Sequence, residues 1–157
     1  MEHDHPRGRL GFAPGDWNVV QTPLAPQLAQ NVQVAWATNR PLAGDDAATG
    51  WPNNTARALG DGGILVYASL AQAVDNPEEY ADLNLPLTLA SGTFAPAQYE
   101  DQPASNVSVN VISARVSGHY LLIYVYFGTN QPSPQLRQQA EGQLARLVVP
   151  QAAPAHA

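Results

Sequence analysis

The chain has 157 residues with 13 acidic side chains against 7 basic ones, a formal net charge of -6, and no cysteine. At this length a chain buries enough surface to fold as one domain without staples, and 45% hydrophobic with only 13% charged residues argues against disorder. The seven basic residues are all arginine and are scattered, so nucleic acid and anionic membrane surfaces are not expected partners, and disulfides and thiolate chemistry are excluded.

Residues 1–15 read as an irregular amino-terminal arm punctuated by Pro6, Gly8, Gly11, Pro14 and Gly15, residues 16–150 as a single α+β domain, and residues 151–157 as a disordered Ala- and Pro-rich tail. No run approaches the roughly 20 apolar residues of a membrane helix, so membrane insertion by this chain is not expected. The 12 glycines and 14 prolines fall mostly between apolar runs and cut the chain into short segments, a pattern that suits a sheet.

Strands are predicted at Trp17 to Gln21 and at Asn31 to Ala37, where Val32, Val34 and Trp36 alternate with Gln33 and Ala35. After a loop-like stretch, Asp61-Gly62-Gly63 turns the chain into an apolar strand from Ile64 to Leu70. Asn76-Pro77-Glu78-Glu79 has the residues of a helix start, which predicts a short helix ending by Leu83. A further strand over Leu85 to Ala90 carries Pro86 near its start and is placed at an edge.

The strongest signal is a hairpin over residues 106–127, two β-branched and aromatic runs joined at Ser117-Gly118. With that turn, Val116 faces His119 and Arg115 faces Tyr120; Ile112, Ala114, Val116, Leu121, Ile123, Val125 and Phe127 share one face, and Val107, Val109, Val111, Tyr120, Leu122, Tyr124 and Tyr126 the other. Two apolar faces place the hairpin centrally in an antiparallel sheet, covered on both sides at least in part. A carboxy-terminal helix over 133–149 starts at Ser133 and Pro134, stops at Pro150, and lays Leu136, Ala140, Leu144, Leu147 and Val148 along one stripe toward the sheet. Gly142 inside it suggests close packing on the sheet.

Trp17-Asn18-Val19-Val20, Val34-Ala35-Trp36-Ala37-Thr38-Asn39-Arg40-Pro41, Ala58-Leu59-Gly60-Asp61-Gly62-Gly63-Ile64-Leu65-Val66, Tyr124-Val125-Tyr126-Phe127-Gly128 and Pro132-Ser133 before the last helix occur in an order that resembles uncharacterised exported domains of high-GC actinobacteria. The resemblance covers residues 15–150 and carries no agreed activity, so it transfers no catalytic residue. It implies a place on the extracytoplasmic side of a bacterial membrane, or the cytoplasm if the chain is full-length as written. In fold, an antiparallel sheet closed by a terminal helix is also similar to the Mog1/PsbP-like group, whose members are mostly non-catalytic binding or assembly proteins.

Four sets of residues carry candidate chemistry. Tyr120, Tyr124 and Tyr126 alternate along one strand and form an aromatic platform for a sugar, a peptide or a partner protein, with Trp36 and Trp51 as neighbours in some arrangements. Met1-Glu2-His3 has the spacing for square-planar copper(II) or nickel(II), with His5 as an added ligand; a loose terminus is the plainer explanation. Asp45, Asp46 and Asp61 lie in loops where acid–base pairs or simple turn formers both fit. His119 is expected as a partly exposed strand-end residue, and no Gly-x-Ser-x-Gly elbow is present. The reading that follows is a non-catalytic binding or assembly module with no cofactor; the alternatives are a small metal-independent hydrolase using loop carboxylates and a structural subunit of a repeating assembly.

Overall fold

The computed structural model describes residues 10–22, 33–42, 53–96 and 107–150. His3, His5, Asp45, Asp46, Trp51 and the tail over 151–157 lie outside them. The elements in chain order are β1 (Gly11–Phe12), β2 (Asn18–Thr22), β3 (Gln33–Thr38), α1 (Asn53–Arg57), β4 (Ile64–Ala71), β5 (Ala81–Asp82), β6 (Thr93–Pro96), β7 (Ser108–Val116), β8 (His119–Phe127), α2 (Pro134–Leu144) and β9 (Leu147–Val148). Seven strands form one sheet in the order β2-β3-β4-β8-β7-β5, with β6 pairing the other half of the outer edge of β7; β1 and β9 form a separate two-stranded sheet. Among the described residues every pairing is antiparallel except β5 with β7. The protein is thus α+β and dominated by its sheet.

The β7–β8 hairpin carries nine residue pairs, from Val116↔His119 to Ser108↔Phe127, in the register that a Ser117-Gly118 turn dictates. Both turn residues have positive φ, 54° at Ser117 and 82° at Gly118, which a two-residue turn matching the strand twist demands. Burial alternates along both strands, and the two faces of the sheet differ sharply. On one face Ile64, Val66, Ala68, Leu70, Ile112, Ala114, Leu121, Ile123 and Val125 are all 0% exposed. They pack with Leu10, Leu87, Leu89, Ala140, Leu144 and Leu147, contributed by the clasp of β1 and β9, by the chain between β5 and β6, and by α2. The opposite face holds a smaller cluster around Trp36. One face is sealed and the other is only partly covered.

Five expectations need correction. The last helix ends at Leu144, not 149, because Leu147 and Val148 leave the helix to pair with Phe12 and Gly11. That pairing also takes the end of the predicted irregular arm into the fold, with Leu10 2% exposed in the main core. The acidic segment is one 3-10 turn at Pro77–Glu79 that runs straight into β5; Asn76 makes no side-chain cap bond and instead donates Nδ2 to Glu79 Oε1 at 2.6 Å. The predicted edge strand over 85–90 is replaced by a 3-10 turn at Leu89–Ser91. There, side chains take the place of a ladder: Leu89 N donates to Glu141 Oε2 at 3.0 Å, and Asn110 Nδ2 donates to Leu89 O at 3.3 Å. Gly142, finally, is exposed, and a Cβ built on it meets nothing within 4 Å, so it does not serve close packing.

Candidate functional site: a tyrosine face

The partly covered face is organised by two ladders. β8 presents Tyr120, Leu122, Tyr124 and Tyr126, all half-buried, and β4 presents Leu65, Tyr67 and Ser69 beside them through the pairs Tyr67↔Tyr124 and Leu65↔Tyr126. On the far side of β8, half-buried Val109, Val111 and Ser113 and exposed Arg115 complete the surface. Alternation in strands puts every second residue on this face, which is why tyrosines at 120, 124 and 126 stand in one row.

The rings form two contact groups, one at each end of the row and separated by Leu122. Tyr67 stacks on Tyr124 with centroids 5.8 Å apart and planes at 28°, and Tyr124 lies 6.1 Å from Tyr126. At the other end Tyr80, which follows the 3-10 turn, meets Tyr120 edge-on at 5.3 Å, and the Arg115 guanidinium sits 5.7 Å from the centre of the same ring. Both geometries follow from the ring quadrupole, whose edge is positive and whose face is negative. Five of the six tyrosines of the chain therefore lie on this side of the sheet, Tyr80, Tyr120, Tyr124 and Tyr126 half-buried at the surface and Tyr67 buried behind them at 6% exposure. Burial, followed by the neighbouring Tyr124, pushes the Tyr67 hydroxyl well above the ordinary phenol range. The Tyr80 hydroxyl is raised by burial, then by Tyr124 and Glu79.

Trp36 does not join the platform. It is 0% exposed, packed among Val34, Leu65, Ala56 and Leu59, because α1 and the residue pair that follows it lie over this part of the sheet. That cover is fastened from the side: Arg40 Nε donates to Leu59 O at 2.8 Å, Asn39 Nδ2 donates to Gly62 O at 3.0 Å, and Asn39 Oδ1 accepts from Ile64 N at 2.9 Å. Sequence reasoning passed over Tyr67 and Tyr80. Tyr67 was visible as one position of an apolar strand, but its neighbour Tyr124 is 57 residues away and only the β4–β8 pairing joins them.

His119 is buried at 4% exposure on the sealed face, contrary to the expectation of a partly exposed residue. Its Nδ1 lies 3.5 Å from Gln72 Nε2 and its Nε2 has no hydrogen-bond partner. Asp61 precedes β4 at the end where Ile64 pairs with Phe127, whereas His119 lies at the end where Ala71 pairs with Tyr120. Seven residues of strand, roughly 23 Å, separate those ends, so Asp61 and His119 share no pocket. Among the described residues no group of three or more His, Asp or Glu side chains is placed to hold a metal ion, and no helix is long and apolar enough to cross a membrane. Comparisons of the chain with protein-family models, with curated proteins and with solved structures found no match.

Proposed function

We propose that the protein is a non-catalytic binding module whose ligand is an extended segment of a partner protein laid along β8. The observation that supports this reading is the concentration of half-buried Tyr80, Tyr120, Tyr124 and Tyr126, backed by buried Tyr67, on the less covered face of a sheet whose other face is sealed. Tyrosine offers a large ring at low entropic cost and a hydroxyl that tolerates a wet rim, and for that reason it is enriched where proteins meet. From Tyr120 to Tyr126 the row is about 20 Å long, the span of an extended hexapeptide. Arg115 over Tyr120 gives one end of the row a positive charge and hence a direction. The sequence resemblance to exported domains supports a place outside the bacterial cytoplasmic membrane. The separation of Asp61 from His119 speaks against the hydrolase reading.

Selection of a random peptide library on the immobilised protein, with counter-selection on the Tyr124→Ala/Tyr126→Ala variant, tests the proposal. The expected outcome is a family of peptides that binds the wild type at least about tenfold more tightly than the variant and shifts the β8 amide resonances. Peptides that bind both proteins equally, or none at all, would overturn it.

A further inference from the structure

The sheet has unequal edges. On one side the outer flank of β7 is shared by β5, two residues with the exposed Asp82, and by the four-residue β6, which ends in Pro96. Short strands, a charge and a proline are the usual means by which proteins blunt an edge. The opposite edge is β2, Asn18-Val19-Val20-Gln21-Thr22, which carries no charge, no proline and no bulge in its five-residue ladder with β3.

The register states which backbone groups of β2 point outward. Asn39 N donates to Ile64 O, so Asn39 and Ile64 form a hydrogen-bonded pair in the β3–β4 ladder, and with alternation Ala37 and Ala35 also aim their backbone groups at β4. Thr38, Trp36 and Val34 then aim theirs at β2, where they face Asn18, Val20 and Thr22. The N–H and C=O groups of Val19 and Gln21 are left pointing away from the sheet, and among the described residues no strand pairs with them.

We propose that this edge pairs with β2 of a second copy of the chain, antiparallel, with Val20 on a two-fold axis. The pattern is self-complementary: with Val20 opposite Val20, Val19 of each copy faces Gln21 of the other, and the two residues with outward backbone groups exchange both of their hydrogen bonds. Four hydrogen bonds form, and the two Val20 side chains meet as a close non-hydrogen-bonded pair. An isologous contact of this kind closes on itself, and among the described residues the blunted far edge offers no matching strand for a repeating array. A strand without charge is also where two copies of a chain of net charge -6 can approach with least repulsion. The pairing keeps like faces on the same side, so the two tyrosine faces become parts of one surface, separated by seven strand spacings or roughly 34 Å. The pairing itself does not depend on what those faces bind.

The test is sedimentation velocity of the full chain from about 1 to 500 µM, the range suited to a small edge-to-edge interface. The expected result is a dimer that grows with concentration, together with amide exchange at Val19 and Gln21 that slows as the dimer forms. Val19→Pro removes a donor that faces outward and takes part in no β2–β3 bond; it should weaken association by roughly 30-fold or more through two lost hydrogen bonds per dimer. Val19→Lys, which leaves the backbone donor in place, should weaken it at low salt and recover at high salt. A monomer at every concentration, a dimer equally strong in both variants, or slow exchange at Val19 and Gln21 independent of concentration would each overturn the proposal, the last by showing that the edge is covered within one chain.

Discussion

Tyr67 and Tyr124 stack across the β4–β8 ladder, 5.8 Å between centroids, and this contact joins the strand that anchors the sheet to the strand that carries the tyrosine row. An offset-stacked pair contributes about 0.5–1.5 kcal/mol beyond its buried area. A double-mutant cycle with Tyr67→Leu and Tyr124→Leu, followed by urea denaturation, should return a coupling energy in that range. Additive effects would show that the rings are neighbours without mutual stabilisation.

The same contact has a pH signature. Burial and the nearby Tyr124 raise the Tyr67 hydroxyl above its unfolded value near 10. A group whose pKa is higher in the folded protein contributes stability that is fully present below the unfolded value and is lost as pH rises above it, because the unfolded chain ionises first. The melting temperature should therefore hold up to about pH 10 and fall beyond it. Tyr67→Phe should flatten that alkaline fall, and an ultraviolet titration should show one late-ionising tyrosine in the wild type that the variant lacks.

His119 Nε2 is buried on the sealed face without a hydrogen-bond partner, and Gln72 reaches Nδ1 only at 3.5 Å. A buried polar atom left unsatisfied costs about 1–3 kcal/mol, whereas an apolar side chain of similar shape carries no such penalty. His119→Leu should leave the melting temperature unchanged or raise it. A loss above about 1 kcal/mol would assign the imidazole a stabilising contact of its own.

Two glycines are predicted to respond in opposite ways. Gly142 lies on the exposed side of α2 with open space where a Cβ would go, so Gly142→Ala should stabilise by up to about 1 kcal/mol through helix propensity. Gly128 is buried, and a Cβ there would collide with the backbone of Gly60, so Gly128→Ala should destabilise by about 1–3 kcal/mol. Thermal denaturation of the two single variants reads both signs.

What the sequence disclosed divides by the range of the contacts involved. The β7–β8 hairpin was legible down to the Arg115–Tyr120 contact, because its two strands and its turn are consecutive and period-two alternation fixes the faces. The helix limit was misplaced because Leu147 and Val148 continue the apolar spacing of α2, and only Phe12 and Gly11, far away in the chain, draw them into a strand. The tyrosine row was legible as a row. Its membership was not: Tyr67 and Tyr80 arrive through other strands, and Trp36 is withdrawn by the cover of Ala56 and Leu59. His119 was misjudged because a turn-end position suggests exposure, while its parity places it on the sealed face with Leu121 and Ile123.

The clasp of β1 and β9 has a mechanical consequence. Gly11 pairs with Val148 and Phe12 with Leu147, so the segments before Gly11 and after Val148 leave the clasp from the same end. Tension applied through those two segments runs across the strands, not along them, and opens the pairs one after another as a zipper does. The nine-pair β7–β8 hairpin lies outside that line of force. A tethered copy would therefore yield first where Leu10 and the clasp leave the main core, extending the chain by the residues of β1 and β9 while the central sheet and its tyrosines stay intact.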